Sequence, residues 1–161
     1  MPLDALREVT KASRWRKVAR AVVLGQGCLV PSEEEFGTYW IEAGHRIREQ
    51  VSDDDLLCRM LRQLLPPYGG GPVTLYRGEN LGRWQEKQVG FSWTREVEVA
   101  RMFGRGLNAT GTGGVLLRGV FSPTSIICGP NCHSEYLQEG QFTVDPSMTP
   151  SLEVVEEFPP I

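Results

Sequence analysis

The chain has 161 residues, 40% of them apolar and 23% charged, and a formal net charge of −3. That is enough for one domain with a core, and the charge gives no general affinity for nucleic acid or an anionic membrane. A run of about 18 apolar residues is absent, as is the apolar stretch of a signal peptide, so neither a membrane helix nor a signal peptide is expected. The expected location is the cytoplasm, of the cell that makes the protein or of one into which it is delivered.

Leu3, Leu6, Val9, Ala12, Trp15, Val18, Ala19 and Val22 recur near the helical period and predict one helix, ended by Gly25-Gln26-Gly27. Lys11, Arg14, Arg16, Lys17 and Arg20 spread over it as a basic face, either solvated or docking an acidic partner. Ser32 and Glu35 form a capping box for a second helix, with Phe36, Tyr39, Trp40, Ala43 and Ile47 as its apolar stripe. A third helix starts at Ser52-Asp53-Asp54-Asp55, turns Leu57, Leu61 and Leu64 inward, and stops at Pro66-Pro67. Tyr68-Gly69-Gly70-Gly71-Pro72 reads as a linker within the domain.

Beyond Pro72 the pattern changes to β. Strands are expected over 73–76, 90–93, 115–121, 124–128, 135–137, 141–144 and 152–155, with one helix over 95–103 and a flexible Gly/Thr/Asn loop over 107–114. Helices first and strands second predict an α+β domain spanning 1–161, with a helical part over 1–67 and a β-rich part over 73–157. Cys28, Cys58, Cys128 and Cys132 read as reduced thiols. Cys128, Cys132 and His133 make at most half of a zinc site, so no metal is expected.

Three short motifs carry the chemistry. Arg77 ends an apolar run, where a guanidinium can hold a phosphate bidentately, and Gly78 beside it lets a ligand or another backbone come close. In Phe91-Ser92-Trp93-Thr94 the strand period puts two hydroxyls on one face and turns Trp93 to the core. Glu135, expected at a strand start, is a carboxylate able to stabilise an oxocarbenium ion and take a proton; Glu139 is its rival, expected in a turn and pointing to solvent. Gly111-x-Gly113 leads into a strand, which excludes a dinucleotide-binding Rossmann fingerprint.

In this order the motifs resemble those of the Arg-Ser-Glu class of mono-ADP-ribosyltransferases, the toxin-like branch of that fold. The resemblance covers about residues 73–145: Tyr76-Arg77-Gly78, then Phe91-Ser92-Trp93-Thr94 with Ala100 and Phe103, then Glu135 through Val144. It implies N-terminal helices packed beside a split two-sheet β core. It also implies NAD as substrate, cleaved at the nicotinamide–ribose bond, with ADP-ribose passed to a macromolecular acceptor, a protein before a nucleic acid.

By position, the resemblance makes Arg77 the anchor for the NAD phosphates and ribose. Ser92 would orient Glu135, Thr94 would line the nicotinamide pocket, and the Gly78 and Glu79 backbone would meet the nicotinamide amide. The 105–114 loop, opening with Arg105, would follow the phosphates and nicotinamide. Glu135 would be the catalytic carboxylate, and the turn over 128–133, with Asn131 and His133, would present the acceptor. His133 departs from the Glu or Gln that the family places two residues before its catalytic Glu, which leaves the acceptor's chemistry open. Hydrolysis of NAD on the same site, and a non-enzymatic partner-binding module on a degenerate transferase fold, are the alternatives.

Overall fold

A computed structural model describes residues 3–26 and 31–161; Cys28 and Gly27 of the expected helix stop lie outside them. The chain forms two compact units, Met1–Pro67 and Tyr68–Ile161. It is mixed α and β, with seven α-helices among the described residues and one six-stranded antiparallel sheet. No described helix is long and apolar enough to cross a membrane.

The first unit is helical: α1 (Leu3–Lys11), α2 (Trp15–Val23), α3 (Glu33–Val51) and α4 (Asp54–Leu64). The single helix expected over 3–22 is two helices, broken at Ser13, whose φ is 54°. The break lets Trp15 turn back on its predecessor: its indole N–H donates to Thr10 Oγ1 at 2.8 Å, and that oxygen also meets the Tyr39 hydroxyl at 2.6 Å. Trp15 is buried between Phe36 and Tyr39, so the indole finds its apolar and polar partners at one place. Ser32 caps α3 by accepting from Glu35 N, and Asp53 caps α4 by accepting from Leu56 N.

The second unit carries β1 (Val73–Asn80), α5 (Leu81–Gln85), β2 (Ser92–Thr94), α6 (Val97–Arg105), β3 (Gly114–Phe121), β4 (Ile126–Cys128), α7 (Cys132–Tyr136), β5 (Gln141–Val144) and β6 (Glu153–Phe158). The sheet order is β4-β5-β2-β1-β3-β6. β1 and β3 pair along their whole length, from Val73 opposite Phe121 to Asn80 opposite Gly114. β1 meets β2 at a single pair, Tyr76 opposite Thr94. Two separate sheets are therefore not what forms: the two three-stranded halves stay joined, by one residue pair, because β2 is only three residues long.

One face of this sheet carries the larger core, with Leu75, Trp93, Val115, Leu117, Phe121 and Phe142. Tyr76, Ala100, Leu116 and Phe158 pack on the other, where α6 lies. Strand alternation sends Val115 and Leu117 one way and Leu116 the other. α6 comes so close that glycine is required on both strands beneath it. A Cβ at Gly78 would lie 2.2 Å from Ala100 O, and one at Gly114 would lie 1.6 Å from Gly104 O.

Candidate functional site

Arg77 and Glu79 continue the face of β1 that begins with Leu75, because residues two apart on a strand point the same way. The apolar core ends there and a polar network replaces it. Arg77 Nε donates to Glu79 Oε2 at 2.7 Å, and Arg77 Nη1 donates to the Ser92 carbonyl oxygen at 2.9 Å. The guanidinium lies against Gly90, where a Cβ would come within 2.2 Å of Nη2. Trp93, buried in the core as expected, donates its indole N–H to Gly90 O and so fixes the segment that receives the arginine.

Glu79 is 1% exposed. Its carboxylate accepts from Asn80 N and Gly90 N, both at 2.9 Å, and Arg83 Nε lies 3.3 Å from Oε1. Burial pushes the carboxyl's pKa up, but the Arg77 charge and hydrogen bond, the Asn80 N–H and the Arg83 charge more than offset this and hold it below the usual carboxylate value. The side chain of Glu79 is the centre of the network, a role that the sequence reading missed by considering only its backbone. The available signal was its position two residues after Arg77 on one strand face, and four before Arg83.

The remaining candidates are placed as follows. The Ser92 side chain is half-buried and its hydroxyl bonds to no described residue; Arg77 engages its backbone instead. Thr94 is buried, and its Oγ1 accepts from Glu96 N at 3.0 Å, turning the chain into α6. Gly78 makes its close approach to α6, so the backbone it admits on that face is the protein's own. Arg105 is exposed at the C-terminal end of α6, where a cation suits the helix dipole.

The loop after Arg105 is fastened rather than flexible. Asn80 Nδ2 donates to Asn108 O and Thr110 O, at 3.1 and 2.9 Å. Asn80 Oδ1 accepts from Thr112 Oγ1 and from Arg83 N, while Asn108 Nδ2 donates to Gly78 O at 2.6 Å. One side chain at the end of β1 thus caps α5 and holds the loop.

The strand expected over 135–137 is helix α7. Asn131 is its N-cap, accepting from Ser134 N at 2.8 Å, and His133 is half-buried within it. Tyr136 is 81% and Leu137 42% exposed, so an extended conformation there would gain no apolar burial. Glu135 is exposed, and its carboxylate makes no hydrogen bond or ion pair with a described residue. The chain then turns through Gln138 and Gly140, at φ 60° and 53°, and the strand starts at Gln141, opposite Thr94. A Cβ at Gly140 would lie 3.8 Å from Thr94 Oγ1. The carboxylate flanking the head of that strand is therefore half-buried Glu139.

The structure thus joins Arg77 to the Ser92–Thr94 strand and sets the Glu139–Gln141 segment beside Thr94. It gives Glu135 no bond to either. Among the described residues, no group of three or more His, Cys, Asp or Glu side chains gathers to hold a metal ion. No protein-family model, curated protein or solved structure matches this chain.

Proposed function

We propose that the chain is an NAD-dependent mono-ADP-ribosyltransferase. The observation that carries this reading is the junction of β1 with β2, where Arg77 Nη1 is bonded to the Ser92 carbonyl beside the Tyr76–Thr94 pair. An arginine held on two sides, with N–H groups left over, is prepared to receive phosphate without reorganising. The hydroxyl of Ser92 is uncommitted, and strand alternation turns it to the face of Tyr76 and Thr94, opposite to that of Arg77. NAD would be the substrate, and a macromolecular acceptor, a protein before a nucleic acid, would take the ADP-ribose.

The carboxylate that stabilises positive charge as nicotinamide leaves is assigned to Glu139 in preference to Glu135. Glu139 flanks the strand that pairs with Ser92–Thr94, whereas Glu135 sits on the exposed side of a five-residue helix. The test is nicotinamide release from NAD, with and without a cell lysate as acceptor source. Glu139→Gln is expected to lose about 10²-fold or more in rate, and Glu135→Gln to stay within a few fold. The reverse result returns the role to Glu135. Nicotinamide release without labelled macromolecules would make the enzyme an NAD glycohydrolase.

A second reading has its own support: Glu79 already neutralises Arg77, and the Glu135 carboxylate bonds to no described residue. On that reading the unit is a partner-binding module on a degenerate transferase fold. A wild-type protein that neither binds nor cleaves NAD, yet forms a stable protein complex, would establish it.

A further inference from the structure

Glu79 faces more positive charge than it can cancel. Arg77 and Arg83 both reach it through Nε, at 2.7 and 3.3 Å, one to each carboxylate oxygen. Arginine stays charged at any working pH, so one positive charge is left over. Arg77 alone would have neutralised the buried carboxylate. Arg77 Nε, Asn80 N and Gly90 N donate hydrogen bonds to Glu79, and Arg83 adds its charge at 3.3 Å.

What remains unpaired is a set of donors. Arg77 Nη2 and both Nη groups of Arg83 make no hydrogen bond with a described residue. The two side chains are 18% and 43% exposed, so a solute can reach them. Neither arginine is loosely placed. Gly90 backs the guanidinium of Arg77, and Arg83 sits in α5, its backbone N–H donating to the Asn80 cap at 3.2 Å.

We infer that Glu79 is a bridge holding Arg77 and Arg83 as a two-guanidinium clamp for the diphosphate of a nucleotide. The choice of a dinucleotide as natural ligand rests on the NAD reading above; the clamp itself requires only a diphosphate. Guanidinium forks match phosphate oxygens in pairs, and a shared carboxylate keeps two of them adjacent despite their mutual repulsion. Arg83 lies outside all three motifs and becomes a binding residue only through Glu79.

Calorimetric titration of the full chain with ADP, inorganic pyrophosphate and adenosine tests this. ADP and pyrophosphate are expected to bind, more weakly as salt rises, and adenosine to bind far less. Arg83→Ala should weaken ADP binding about 10-fold or more in a protein that stays folded, with only a small fall in melting temperature from the lost ion pair with Glu79. Arg83→Lys, which keeps the charge and loses the fork, should fall between. If Arg83→Ala does not fold, Arg83→Lys carries the test and must bind ADP more weakly than wild type. The clamp is overturned if ADP and pyrophosphate do not bind the wild type, or bind the Arg83 variants equally well. ADP binding that depends on Arg83 without NAD cleavage keeps the clamp and removes the transferase; NAD cleavage with ADP binding indifferent to Arg83 does the opposite.

Discussion

A carboxyl buried without partners would be neutral at pH 7; for Glu79 the Arg77 charge and hydrogen bond, the Asn80 N–H and the Arg83 charge outweigh its desolvation and keep it ionised. Its pKa in the folded protein lies below the unfolded value of about 4.3. The stability this contributes is therefore complete above that value and is lost as pH falls through the lower, folded one. Glu79→Gln keeps the shape and removes the charge. Chemical denaturation should give a loss of about 1–3 kcal/mol at pH 7, shrinking toward pH 3. A deficit that stays constant over that range would mean that packing, rather than charge, is what Glu79 supplies. None of this was legible from Arg77 and Glu79 as letters: the strand period placed them on one face, but the Gly90 N–H that completes the site comes from eleven residues further on.

At the scale of elements, two devices hold the β-rich unit's site in place. The first is the contact of α6 with β1 and β3 through Gly78, Gly104 and Gly114. Gly114→Ala would set a Cβ 1.6 Å from a backbone carbonyl that cannot swing aside. A stability loss of about 3 kcal/mol, at the upper end for overpacking, is expected in thermal or chemical unfolding; a near-neutral result would mean that α6 slides easily on the sheet. The second device is Asn80. Asn80→Ala removes the donors that fasten Asn108 and Thr110 and the cap of α5. A cost of about 1–2 kcal/mol is expected, with faster hydrogen exchange in 107–113; exchange unchanged in that segment would show that Asn80 does not fasten it. Glycine, threonine and asparagine over 107–114 read as a flexible loop, since those letters are the same whether a loop moves or is pinned. The helix at 132–136 escaped for another reason: five residues are too few to display a helical period, and Tyr136 and Leu137 looked like strand residues until their exposure was known.

Across the whole molecule, the change from helical to β-type pattern coincides with a physical seam. The first unit ends at Pro67 and the second begins at Tyr68, with Pro66, Pro67 and 69–72 exposed between α4 and β1. Exposed stretches without regular structure are where proteases cut first. Brief digestion with a protease of broad specificity should yield two fragments divided within 66–72, identified by intact mass; first cuts elsewhere would mean that this stretch is protected. The sequence by itself determined that helices come first and strands follow, the capped starts of α3 and α4, the β1, β3 and β5 segments and the change of pattern at 66–72. Each of those depends on neighbours within a few positions: a period, a cap, a proline pair. Only the tertiary structure decided that Trp15 breaks the first helix to reach Thr10, that the two sheet halves stay joined at Tyr76 and Thr94, that Glu79 gathers Arg77 and Arg83, and that 132–136 is a helix which leaves Glu135 exposed. Those outcomes turn on turns, hydrogen bonds and glycine contacts whose partners are set by where the chain returns, and local residue patterns carry no record of that.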